Sequence, residues 1–234
     1  MYSPRRMVRR HTDREFEAEL RELKDKLLRM AGLVEQMIAS ATTALVDADL
    51  DKARDTIAAD GSVNALELET DELCLMILAR RQPMASDLRM ITLAMKMVTD
   101  LERIGDLAVN LGERALAMAS APPPAVIERL ARMSATGQAM IRDSIDAFVA
   151  GDVGKARAVL GRDPQVDEDF RALTFELQGQ MMRDRDFVDR GMHLHACAKF
   201  LERIADHGTN LAELVIFQVE GKDVRHPSVV RRDT

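Results

Sequence analysis

LERIGDLAVNLGE at residues 101–113 returns as LERIADHGTNLAE at residues 201–213, and eight of the fourteen positions from 101 to 114 match those from 201 to 214. Both copies read as helix, and at about 100° per residue Glu102, Asp106, Asn110 and Glu113 fall at roughly 0°, 40°, 80° and 20°, one narrow stripe. Leu101, Ile104, Ala108 and Leu111 fall at roughly 180° to 260°, the side that packs into a core. Glu202, Asp206, Asn210 and Glu213 repeat the stripe in the second copy, with Leu201, Ile204, Gly208 and Leu211 opposite. The acids are therefore expected to face outward, away from the core.

The repeat extends on both sides of this helix. MIASATTALVDADLDKAR from Met37 aligns with MIRDSIDAFVAGDVGKAR from Met140, an offset of 103 that falls to 100 by the third helix. Apolar residues at three and four spacing predict a helix from Phe16 to Val46 and a second, capped by Asp49, to Arg81 with Gly61 as a kink site. Gln82-Pro83 ends that helix, since proline disfavours helical geometry in the residue before it. A third helix is predicted from Ala85 to Met118. APPPA at 121–125 then forms a stiff linker. After it come helices from Val126 to Ala150, from Asp152 to Asp184 with Pro164 breaking or bending it, and from Phe187 to Val219.

Three amphipathic helices can bury their apolar stripes against one another. The expected fold is all-α, two tandem and similar three-helix bundles of six long helices. Residues 1–12 read as a basic flexible tail, 13–120 as the first bundle, 126–220 as the second, and 221–234 as a C-terminal tail.

Composition agrees with helices. The 234 residues include 15 Met, no Trp and only 3% aromatics, so the usual strand formers are scarce. A formal charge of −6 argues against nucleic acid as a partner, because phosphate backbones require a basic surface. No apolar run approaches the ~20 residues of a membrane span, and no apolar segment follows the basic N-terminus as a signal peptide requires, so a cytoplasmic protein is expected. Cys74 and Cys197 sit in apolar helical patterns and read as buried reduced thiols.

Glu one turn before Asp repels it by a few tenths of a kcal/mol, so folding alone gives no reason to gather these acids. A hard cation does: oxygen donors without cysteine suit Mg, Ca, Mn or oxidised iron, and zinc also accepts carboxylates. The alternative is a solvated face partly neutralised by Arg103 and Arg203. Glu67 with Asp71 and Asp163 with Asp167 have the same spacing on the second helices and read as solvated charges or additional ligands. His195, at about 20°, falls on the second stripe as a further ligand or as a partner of its carboxylates. His207, at about 140°, points elsewhere and is given no role.

Further residues support a resemblance. DLERIGDLAVNLGE and FLERIADHGTNLAE are similar to the signature helices of the PhoU family of phosphate-signalling regulators, RRQPMASDLRMI from Arg80 to its turn into the third helix, and LVIFQVEGKDVRH from Leu214 to its usual end. The likeness runs from about Phe16 to His226. It implies two three-helix bundles, and a negative regulator of phosphate uptake and the phosphate-starvation response that links a phosphate-specific ABC transporter to a sensor histidine kinase. It implies a homodimer, with the membrane reached only through partners. It also implies multinuclear iron or zinc, rather than Mg or Mn, at E/D-x-x-x-D motifs that here match Glu102 with Asp106 and Glu202 with Asp206. DRDFVDRGMHLH in the second half departs from QPMASDLRMITLAM in the first, so the proline turn is not repeated.

A carboxylate-metal helical bundle with redox or storage activity is the competing reading. It is weakened by the lack of any Glu-x-x-His pair and by acids expected to face outward. Neither a nucleophile with its base nor a glycine-rich phosphate loop is present, so an enzyme is not expected.

Overall fold

The computed structural model describes residues 4–118, 120–221 and 224, with side chains from residue 14 onward. Among the described residues it contains seven helical segments and no strand: α1 (Pro4–Asp47), α2 (Leu50–Arg81), α3 (Ala85–Met118), α4 (Pro124–Ala150), α5 (Val153–Leu160), α6 (Asp163–Arg183) and α7 (Val188–Glu220). α5 and α6 together are the second helix of the second half. The interruption falls at Gly161-Arg162, with Pro164 in the first turn of α6, where its missing N–H is tolerated. α2 runs unbroken through Gly61.

Two ends differ from expectation. α1 begins at Pro4, so the backbone of the basic stretch expected to be a flexible tail is helical. Nothing from Arg5 to Arg14 breaks a helix, and proline is favoured at a first helical position. Pro124 and Ala125, expected in the linker, are the first residues of α4 for the same reason. The expected C-terminal tail lies outside the described residues, except for Gly221 and Val224.

α1, α2 and α3 pack on one another, as do α4, α5, α6 and α7. The buried stripes meet in a continuous core that includes Leu27, Met30, Ile77, Met97 and Leu101 in the first half and Leu130, Met133, Ile141, Leu177 and Leu201 in the second. Cys74 and Cys197 are fully buried in it. Burial pushes both thiols up to about 12, so neither is a ready nucleophile.

The halves share two seams, in each of which equivalent helices meet: α1 on α4 and α3 on α7. In the first, Thr42 Oγ1 and Ser134 Oγ are 2.8 Å apart and Arg142 donates to Glu35 at 2.6 Å. In the second, Asp100 meets His207 and the Arg89 guanidinium donates to the carbonyl of Gln218. Residue numbers that rise on one helix as they fall on the other make both crossings antiparallel. A pseudo-dyad therefore relates the halves. Close approach of α7 to α4 is permitted by Gly208, where an added Cβ would lie 3.0 Å from Met140 Cβ.

Candidate functional site: facing carboxylates and a polar seam

Asp106 and Asp206 are exposed, as the outward stripe predicts, whereas Glu102 and Glu202 are half-buried. Glu102 is half-buried on α3, and burial, then Asp106, then Glu67 raise its carboxyl above the usual range, with Arg103 opposing. Glu67 is raised by burial and by Asp71 and Asp106, and Asp71 by burial. The pair on α2, read from sequence as solvated charges or additional ligands, thus turns toward the stripe on α3. Like charges brought together out of water favour the protonated form. Asp60 joins them: it bears on Glu102, and its Oδ2 accepts from Asn64 at 2.8 Å. Buried Asp60 Oδ1 and Asp71 Oδ1 have no hydrogen-bond partner.

The second half builds the same arrangement from α6 and α7. Asp163 is raised by burial and by Asp167, while Thr209 Oγ1 donates to it at 3.2 Å. Asp206 is pushed up to about 6, first by burial and then by Glu202 and Asp163. Glu202 is held by Lys199, whose Nζ lies 2.6 Å from its carboxylate, so Lys199 neutralises this stripe where Arg203 had been expected to.

The halves diverge at one end. At the repeat offset of 103, Asp60 corresponds to Asp163 and Asn64 to Asp167, whereas Glu67 corresponds to Phe170. Glu67 and Asp71, which share the spacing of Asp163 and Asp167, therefore lie seven residues, about two helical turns, beyond the positions equivalent to them. His195 stacks on the Phe170 ring at 5.6 Å between centroids, and Lys199 lies over the same ring. The imidazole packs against an aromatic where the first half places an acid. Its buried Nδ1 has no hydrogen-bond partner.

The asparagines separate from the stripe. Asn110 donates from Nδ2 to the carbonyl of Asp106 at 2.9 Å, and Asn210 lines a groove between α3 and α7. Glu113 is exposed and Glu213 half-buried. Sequence reasoning read Arg103 and Asn210 with the acid stripe and missed the other residues of that groove, Lys96, Thr99, Asp100 and Leu214. His207 is nearly buried in the seam and places Nδ1 2.8 Å from Asp100 Oδ1. The signal was available: Lys96, Asp100, Arg103, His207 and Asn210 fall at roughly 80° to 160° on the helical scale, a third face between the acid stripe and the core.

Fold and site together define a class of protein: a tandem pair of three-helix bundles in which carboxylates on the second and third helices of each half are set against one another. Among the described residues, no helix is long and apolar enough to cross a membrane. The profile of the PhoU domain matches this chain twice, over residues 27–115 and 130–215. The chain belongs to the PhoU family. It is 39% identical over 222 residues to the phosphate-specific transport system accessory protein PhoU homolog of Pseudomonas aeruginosa, covering 94% of this chain and 92% of the relative. It is 33% identical over 219 residues to the accessory protein PhoU of Escherichia coli K12, covering 94% and 91%. The crystal structure of PhoU from P. aeruginosa superposes with a TM-score of 0.85 at 39% identity, over 88% of this chain and all of that one. The phosphate transport system regulatory protein PhoU from Streptococcus pneumoniae superposes at 0.82 with 28% identity, over 89% and 99%. These relatives are accessory and regulatory proteins, and the family is not one of enzymes.

Proposed function

We propose that this chain restrains phosphate uptake and the phosphate-starvation response, acting in the cytoplasm as an adaptor between a phosphate-specific ABC transporter and a sensor histidine kinase. The observation that carries this reading is the match along 94% of the chain to relatives named as accessory proteins of the phosphate-specific transport system. The long helical faces outside the two seams are the surfaces such an adaptor would use, and a homodimer would pair two of them. A pull-down of the tagged chain from membranes, at high and low phosphate, tests it. Transporter subunits and a histidine kinase should copurify, and absence of both at either phosphate level would sink the adaptor. Deleting the gene should raise alkaline phosphatase reporter activity in phosphate-rich medium.

The carboxylate clusters suit a metal role within that function, with iron or zinc as the ion. The unpartnered oxygens of Asp60 and Asp71, and the raised carboxyls of Glu67, Glu102, Asp163 and Asp206, are groups a cation would satisfy. Among the described residues no three His, Cys, Asp or Glu side chains already stand close enough to hold an ion. Binding would therefore draw Glu102 and Asp106 toward α2, and Glu202 and Asp206 toward α6, with Glu202 released from Lys199. A bound ion would supply the positive charge that the clustered carboxylates lack, and so tie the second helix of each bundle to the third.

A further inference from the structure

The motif repeated in the two halves retains more than its acids. Arg103 and Arg203 match, as do Asn110 and Asn210, and neither pair belongs to the carboxylate clusters. The fold brings an arginine of one copy to an asparagine of the other. Arg103 on α3 and Asn210 on α7 line one groove of ≈ 300 Å³ at the seam, with Lys96, Thr99, Asp100 and Leu214.

The donors in this groove are uncommitted. Among the described residues, Lys96, Arg103 and Asn210 have no hydrogen-bond or ion-pair partner, and Arg103 acts on Glu102 only at a distance. The one carboxylate of the groove, Asp100, is engaged through Oδ1 by His207. Two exposed cations and an exposed amide thus line one groove, beside a carboxylate that His207 already engages. Charge-assisted donors from one bundle, joined by an amide from the other, are what a small anion with several oxygens takes.

We propose that the α3–α7 seam binds inorganic phosphate, with Lys96 and Arg103 supplying charge, the Asn210 amide a hydrogen bond, and Asp100 the selectivity. The free Oδ2 of Asp100 can only accept, so it favours an oxyanion that still carries a proton. Hydrogenphosphate does, and sulfate at neutral pH does not. Because Lys96 and Arg103 stand on the first bundle and Asn210 on the second, occupancy bridges the halves and favours their docked arrangement. The site stands on seam geometry; its meaning as a phosphate sensor rests on the adaptor reading above.

Calorimetric titration of the purified full chain with inorganic phosphate, sulfate and glycerol phosphate, in chloride buffer, is the test. Wild type, Arg103→Gln, Asn210→Ala and Asp100→Asn are compared, each first shown by circular dichroism to keep its helices. Phosphate should bind saturably, and both Arg103→Gln and Asn210→Ala should weaken it by at least about tenfold. Sulfate should bind at least about tenfold more weakly than phosphate, and Asp100→Asn should close that gap. No saturable phosphate binding by wild type, or wild-type affinity in Arg103→Gln, would overturn the site. Equal binding of sulfate would overturn the choice of phosphate, and tighter binding of glycerol phosphate would reassign the groove to phosphate esters. Failure of the membrane pull-down would leave this titration untouched, so the two readings fall separately.

Discussion

His207 on α7 and Asp100 on α3 meet across the seam between the bundles, Nδ1 to Oδ1 at 2.8 Å, with both side chains nearly out of solvent. The pseudo-dyad sets Leu107 and Phe200 at the corresponding positions, so one end of the crossing carries a polar pair and the other two apolar residues.

That substitution pattern gives a double-mutant test. His207→Leu alone leaves Asp100 unpaired at a largely buried position and should destabilise the chain by about 1–3 kcal/mol in urea unfolding. Adding Asp100→Phe copies the apolar end of the crossing and should recover most of that loss. Additive losses in the double mutant would show that the two residues do not act as a pair.

Asp206 sets a pH dependence. Its folded value of about 6 lies above the ordinary 3.8, because burial and then Glu202 and Asp163 favour the protonated form. The folded state thus holds this proton more tightly than the unfolded chain does. The associated stability is fully present below the ordinary value and is lost as pH rises through about 6. In metal-free protein, Asp206→Asn should be more stable than wild type at pH 8, with the difference vanishing by pH 4. Asp206 keeps solvent contact, so the gain should be a few tenths to about 1 kcal/mol. Denaturant melts at the two pH values check it, and a variant less stable at pH 8 would contradict it.

A bound metal would reverse that sign. Asp106→Asn with Asp206→Asn keeps shape but removes two charges. If these residues are ligands, protein prepared without chelator should hold less iron or zinc and melt lower than wild type, since a ligand bound only to the folded state stabilises it by mass action. Elemental analysis with a thermal melt reads both. Unchanged metal content and an equal or higher melting temperature would reduce the stripes to solvated faces.

The repeat also predicts a stabilising change. Ala48 follows α1 with φ of 55°, and Gly151 follows α4 with φ of 68° at the equivalent position. Each precedes the aspartate that caps the next helix, Asp49 or Asp152. An alanine side chain in this left-handed conformation costs roughly 1–2 kcal/mol. Ala48→Gly should raise stability by up to about 1 kcal/mol, allowing for the greater entropy of an unfolded glycine, and Gly151→Ala should lower it. Unfolding midpoints of the two variants should move in opposite directions.

The sequence by itself determined the helices, their order and the duplication. Apolar periodicity is a local property, and punctuation such as Gln82-Pro83, Pro122-Pro123 and Asp152 acts on the backbone beside it. The angular positions of Glu102, Asp106, Glu202 and Asp206 were legible for the same reason: they follow from helix geometry alone. What those stripes face was not legible, because it depends on how each helix is rotated about its axis against its neighbours. Only packing turns Glu67 and Asp71 toward Glu102, sets Phe170 against His195, and removes Asn210 from the acid stripe to the seam. The pairing of Asp100 with His207 lies further still from local reading. A contact between residues 107 positions apart exists only once two finished bundles bury equivalent faces against each other, and the rule that makes helices says nothing about which of their faces will meet.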